Sequence, residues 1–111
     1  MVEEARAAVT CTSSEDLKAR LDAGEDLLLI DVREPQEWVQ GTLPGSYTIP
    51  RGVLEGQIDG RVPYESRVVL YCGSGARSAL AARSLREMGY ENVENLDGGF
   101  AGWLQAGNPV R

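Results

Sequence analysis

Cys72 and Arg77 lie five positions apart in the stretch Val-Val-Leu-Tyr-Cys-Gly-Ser-Gly-Ala-Arg-Ser, 68–78. A thiol and a permanently charged guanidinium at this spacing suit a thiolate working beside a bound anion. Gly73 and Gly75 remove side chains where backbone N–H groups must converge, and they permit positive φ. Ser74 adds a hydroxyl donor. A helix beginning just past the loop adds partial positive charge at its N-terminus. Together these features predict a Cys72 pKa below the ~8.5 of a free thiol. On spacing alone the identity of the anion stays open, phosphate or otherwise.

Composition narrows the chemistry. The chain has no histidine, which excludes Ser-His and Cys-His catalysis and every histidine metal site. Its two cysteines, Cys11 and Cys72, form neither a zinc signature nor a Cys-x-x-Cys pair, and nothing in the sequence supports a disulfide between them. A net charge of −6, with Lys18 the lone lysine and the arginines scattered, argues against nucleic-acid binding. No run approaches the ~20 apolar residues of a membrane helix. Residues 1–11 carry early acids and no apolar segment, so they do not read as a secretory signal. A reducing cytoplasm is the expected setting for a reactive free thiol.

Strands and helices alternate around the loop. Residues 1–12 read as a loose or short-strand lead-in, and 13–111 as one domain. Ser13, Ser14, Glu15 and Asp16 mark a helix start, with Leu17 and Leu21 on one face and Gly24 at its end. Leu27 to Ile30 is a continuous apolar run, the mark of a parallel strand covered on both faces. Pro35 opens a short helix carrying Trp38 and Val39 and ending at Gly41. A short strand spans Ser46 to Ile49, and a short helix carries Val53 and Leu54. Arg67 to Tyr71 is the next buried strand, and Arg77 to Met88 the clearest helix. Asn92 to Leu96 is a strand, followed by a turn at Asp97-Gly98-Gly99 and a helix from Phe100 to Leu104. This order predicts an α/β layered fold with a mainly parallel sheet of about five strands and helices on both faces. In such sheets sites form outside the carboxyl ends of strands, where Cys72 falls.

Several separated motifs, in order, resemble the rhodanese superfamily. Leu-Leu-Ile-Asp-Val-Arg-Glu (28–34) with Glu37, Trp38 and Gly41 is similar to its first signature. Pro44-Gly45-Ser46, Ile49-Pro50 and Arg51-Gly52-Val53-Leu54 resemble the segment that follows. Tyr71 through Ser78 is similar to the active loop. Gly89 to Val93 and Leu96-Asp97-Gly98-Gly99, with Trp103, resemble the closing segment. The match spans about residues 13–110. It implies a three-layer rhodanese-like fold.

The resemblance also implies an activity. In that superfamily a six-residue loop, cysteine through arginine, goes with sulfur transfer, and a loop one residue longer with phosphatases. Cys72 to Arg77 counts six. The resemblance therefore implies a thiosulfate sulfurtransferase-like enzyme, with Cys72 as the persulfide-forming nucleophile. Gly73, Ser74, Gly75, Ala76 and Arg77 would hold the sulfur anion. The donor would be thiosulfate or a related small sulfur anion, and the acceptor a thiol, cyanide or a protein. No metal or organic cofactor is implied. Many relatives carry histidine where this chain reads Gly41-Thr42-Leu43-Pro44-Gly45. Its loss leaves the loop backbone and Arg77 as the evident means of activating Cys72. Loops of efficient thiosulfate users often carry more cations, which makes thiosulfate a poor or surrogate donor here. The alternatives are a partner-dependent sulfur carrier or binding module and, further off, a small phosphatase or arsenate reductase.

Plainer roles compete at each position. A free cysteine is usually a buried structural thiol, but the glycine loop and the ordered motifs favour function at Cys72. Arg77 closes the loop, which favours a site role over a surface ion pair. Asp31 and Arg33 are candidate supporting residues, with mutual pairing the favoured reading. Arg51 stands between the pocket mouth and a solvated arginine. Trp38 and Trp103 read as packing residues, Gly98 and Gly99 as turn formers, and Cys11 as an incidental thiol.

Overall fold

A computed structural model of the chain describes residues 2–111. Five strands form one all-parallel sheet in the order β1-β5-β4-β2-β3. They are β1 (Thr10–Thr12), β2 (Leu28–Asp31), β3 (Tyr47–Thr48), β4 (Val68–Tyr71) and β5 (Val93–Leu96). The helices are α1 (Val2–Ala8), α2 (Ser14–Asp22), α3 (Leu54–Ile58), α4 (Ala76–Glu87) and α5 (Gly99–Gln105). The α/β fold expected from the sequence is the fold observed.

Strand alternation divides the core between the two faces of the sheet. Ile30, Val68, Leu70 and Cys72 pack with Leu54 and Ile58 of α3 and Ala81, Ala82 and Leu85 of α4. Leu29, Val69, Tyr71 and Leu96 pack with Leu17 of α2 and Phe100 and Trp103 of α5. Each fully buried Leu, Ile or Val contributes ~1.5–3 kcal/mol relative to exposure, so both faces are strongly anchored. The central strand β4 is buried at all four positions, as its unbroken apolar sequence requires. Cys72 continues it by one residue and keeps its inward phase.

Residues 2–8 are helical where the sequence reading gives a loose or short-strand lead-in, with the short strand found only at Thr10–Thr12; Met1 lies outside the described residues. The segment Val-Glu-Glu-Ala-Arg-Ala-Ala is rich in good helix formers and places its acids in the first turn. It lacks a stripe of large apolar residues, the cue that marks helices in sequence. The small side chain of Ala5, fully buried, lets α1 lie close against α4. The chain then enters β1, which pairs with β5 at the sheet edge.

Three other elements differ in detail. The segment after Pro35 is a 3-10 turn, Pro35–Gln40, closed by a capping box between Glu34 and Glu37. The second short helix is a 3-10 turn, Arg51–Val53, running into α3. α4 starts at Ala76, one residue before Arg77. The tail folds back so that Thr42 and Arg111 exchange two backbone hydrogen bonds. Trp103 Nε1 donates to the Pro109 carbonyl at 2.7 Å, fixing that return.

Candidate active site

The loop between β4 and α4 points its N–H groups inward at one sulfur. Gly75 N–H donates to Cys72 Sγ at 3.1 Å, and Ser78 N–H donates at 3.4 Å. The Ser78 hydroxyl lies 3.4 Å from the same sulfur. Cys72 has no exposed surface, and Ser78 is equally buried. Burial opposes ionisation of the thiol. The hydrogen bonds from the Ser78 hydroxyl and from the N–H groups of Ser78, Gly75 and Ser74 outweigh it, so the Cys72 pKa lies below its ordinary value.

Ser78 has a second partner. Its hydroxyl is within hydrogen-bond reach of the Asn95 Oδ1, also fully buried. One hydroxyl proton serves Cys72 or Asn95 at a given moment, not both. Asn95 Nδ2 in turn donates to Cys11 Sγ at 3.9 Å on the neighbouring strand β1. Both cysteines are free, Cys11 exposed and Cys72 buried.

The inward N–H groups require outward carbonyls, and each of those is held. Phe100 N–H donates to Cys72 O at 2.8 Å, and Ala101 N–H to Gly73 O at 3.0 Å. The first turn of α5 thus clasps the back of the loop. This close approach needs Gly99, whose φ is +58° and where a Cβ would stand 2.5 Å from Cys72 O. The third carbonyl, Ser74 O, accepts from Arg6 Nη2 of α1 at 3.4 Å.

Arg77 sits at the loop's end but does not stand free. Its Nη1 donates to Glu37 Oε1 at 2.7 Å and its Nη2 to Glu37 Oε2 at 3.0 Å. The pair lies across Gly73, where a Cβ would be 3.4 Å from Arg77 Nη2. The bidentate hydrogen bonds from Arg77 lower the Glu37 pKa to about 2, and Glu37 raises that of Arg77. Glu37 also accepts from the Glu34 N–H at 3.0 Å, which fixes its rotamer.

The hydrogen bonds described for the other predicted residues go to groups other than the sulfur. Asp31 and Arg33 form a fully buried pair, with Arg33 Nη2 2.8 Å from Asp31 Oδ2. Arg33 also donates to the carbonyls of Gly41 and Glu37, at 2.6 and 3.3 Å, and lies 4.2 Å over the Phe100 ring. It pins the 37–41 segment to the sheet end, as the pairing reading expects. Arg51 donates to both oxygens of Glu55, which also accepts from Ser84 of α4. A groove of about 630 Å³ opens elsewhere, lined by Leu28, Ile30, Tyr47, Ile49 and Ile58 among others, and no loop residue borders it.

The profile of the rhodanese-like domain matches residues 13–106. The chain belongs to the rhodanese-like family. A sulfurtransferase from Allochromatium vinosum is 40% identical over 97 residues, covering 87% of this chain and 90% of that one. A Rhodopseudomonas palustris protein of unknown function, described as a possible tyrosine phosphatase, superposes with a TM-score of 0.91 at 35% identity. That match covers 99% of this chain and 90% of the other. The polysulfide-sulfur transferase homodimer of Wolinella succinogenes superposes with a TM-score of 0.84 at 34% identity, covering 99% and 83%. Sulfur transfer, in general terms, is the activity that family membership and the Allochromatium relative support for this rhodanese-like domain.

Five residues around the sulfur escape the sequence reading as contributors to the site. Ser78 lies inside the active motif, and its place one helical turn past Gly75 was the available signal. Glu37 was visible as an acid in the first signature, but only the fold brings it to Arg77. Gly99 reads as a turn former and is in addition a close-approach residue. Asn95 and Arg6 gave no local signal, because β5 and α1 reach the loop through tertiary packing.

Proposed function

We propose that Cys72 carries sulfane sulfur as a persulfide and that the domain transfers it between small thiol-type partners. The observation that carries this reading is the convergence of the Gly75 and Ser78 donors on Cys72 Sγ. In the first step the Cys72 thiolate attacks the outer sulfur of thiosulfate or a related donor. A Cys72 sulfur–sulfur bond forms, the donor's sulfur–sulfur bond breaks, and its electron pair leaves with sulfite. The charge now rests on the terminal persulfide sulfur. The N–H groups of residues 73–77 and Ser78 are placed to stabilise that anion as fixed dipoles. In the second step a thiolate or cyanide attacks the terminal sulfur, and the electron pair returns to Cys72 as thiolate. No cofactor enters either step.

The donor class follows from charge. Arg77 is largely neutralised by Glu37, so the site is a weak trap for a free dianion. Thiosulfate is then a usable but inefficient donor, and a persulfide carrying a single negative charge is a better one. Polysulfide, the sulfur source in the Wolinella neighbour's name, is a second candidate on that likeness and not on charge. A reducing compartment such as the cytoplasm suits a thiol that must return to its free form.

The complete burial of Cys72 favours a second reading, in which sulfur passes only to a docked protein acceptor that opens the loop. The possible-phosphatase description of the Rhodopseudomonas neighbour raises phosphate hydrolysis, against which the six-residue loop argues. The deciding experiment treats purified protein with thiosulfate or polysulfide, weighs it intact, then adds cyanide. Gain of one sulfur atom on Cys72 and release of thiocyanate support the proposal. Sulfur loading without release to small acceptors supports the carrier reading. No loading with any donor, or Cys72-dependent hydrolysis of an aryl phosphate, overturns both.

A further inference from the structure

The carbonyl of Ser74 and the N–H of Gly75 belong to one peptide unit. In a trans peptide these groups point in opposite directions. Here each has a partner: Arg6 Nη2 donates to the carbonyl oxygen at 3.4 Å, and the N–H donates to Cys72 Sγ at 3.1 Å. The line from Arg6 through the peptide to the sulfur is therefore a two-bond hydrogen-bond chain. Arg6 is exposed to solvent, and its guanidinium lies beside the loop: a Cβ on Gly75 would be 3.6 Å from Arg6 Nη2. Gly75 has φ +99°, a backbone setting that a glycine adopts easily and also leaves easily.

We propose that Arg6 is a positioning residue for the Cys72 sulfur anion, acting through the Ser74–Gly75 peptide. The proposal rests on the persulfide reading for its biological use. Its physics concerns the thiolate alone. Of the three loop carbonyls turned outward, those of Cys72 and Gly73 are held by α5 backbone. The Ser74 carbonyl is held by a side chain that carries a charge. A guanidinium on the carbonyl end polarises the peptide so that its N–H becomes a stronger donor to the sulfur. It also prevents a flip of that peptide, which would aim the carbonyl oxygen at the anion. The Arg77 charge is shared between the Glu37 carboxylate and Cys72, whereas Arg6, exposed to solvent, meets the loop at a carbonyl. Arg6 lies in α1, outside residues 13–106 that match the family profile.

The test measures the rate of Cys72 alkylation by iodoacetamide against pH in a Cys11→Ser background. Arg6→Gln is expected to raise the midpoint by about half a pH unit, a two- to threefold loss of thiolate near the midpoint. Arg6→Lys should restore much of the shift, and Glu3→Gln on the same helix should leave it unchanged. Circular dichroism and thermal unfolding of each variant check that α1 stays folded. A midpoint that stays put in Arg6→Gln, or one that moves equally in Glu3→Gln, overturns the proposal. Sulfur loading from polysulfide is measured on the same samples. A shifted midpoint in a protein that never loads sulfur keeps this inference and sinks the persulfide reading. Loading with an unshifted midpoint does the reverse.

Discussion

A methyl group on Gly99 would stand 2.5 Å from the carbonyl oxygen of Cys72 and 2.7 Å from that of Gly73. The nucleophile's own backbone is thus held at a distance only glycine permits. That approach lets Phe100 and Ala101 N–H groups take the loop carbonyls, and it turns the loop's own N–H groups toward the sulfur.

Gly99→Ala should therefore damage the fold and the site together. The substitution forces an L side chain into left-handed backbone, at about 1–2 kcal/mol, and adds a clash with fixed backbone atoms, for a total of about 2–4 kcal/mol. Urea unfolding measures the loss. A cost near zero would mean that α5 moves away freely and that the clasp is not needed.

Ser78→Ala removes the hydroxyl donor but keeps the Ser78 N–H. Burial of Cys72 is then opposed by fewer hydrogen bonds, so its pKa rises. The expected shift is about one pH unit upward in the alkylation profile. The rate falls about tenfold below the midpoint and matches wild type well above it. Ser78→Thr, which keeps a hydroxyl, should recover most of the loss. An unchanged midpoint in the alanine variant would show that the backbone alone activates the sulfur.

The Glu37–Arg77 pair predicts a pH dependence of stability. The folded-state pKa of Glu37, about 2, lies below its unfolded value. Its contribution is therefore complete above the unfolded carboxylate pKa of ~4.3 and is lost as pH falls toward 2. The pair is partly exposed, which limits its worth to about 1 kcal/mol. Glu37→Gln should be less stable than wild type by that amount at pH 7, with the gap closing below pH 2. A gap that persists unchanged in acid would assign the effect to packing instead.

The layered fold was legible because β2 and β4 are unbroken apolar runs and α4 carries a clear helical composition. The loop was legible because Cys72, Gly75 and Arg77 are close in sequence. What stayed hidden depends on tertiary approach. Arg6 reaches Ser74 across 68 positions, and Arg77 reaches Glu37 across 40. Neither partner has a local signature, since a solvated arginine or glutamate looks the same in sequence. α1 was missed because its buried contact is made by Ala5, too small to register as an apolar stripe.

The buried Asp31–Arg33 pair gives the largest expected single-site cost. Arg33→Met strands the Asp31 carboxylate in a dry environment and leaves the Gly41 carbonyl without its donor. Loss of one partner of such a pair costs about 3–5 kcal/mol. Replacing both, as Asp31→Asn with Arg33→Met, removes the stranded charge and should recover part of that loss. The same variants bear on the site, because Arg33 pins the segment that carries Glu37. If the double variant is no more stable than Arg33→Met, the cost lies in the lost carbonyl contacts and the 37–41 segment. If it regains about half, the stranded charge is the larger part. Denaturant midpoints of the two proteins, measured at pH 7, separate these outcomes.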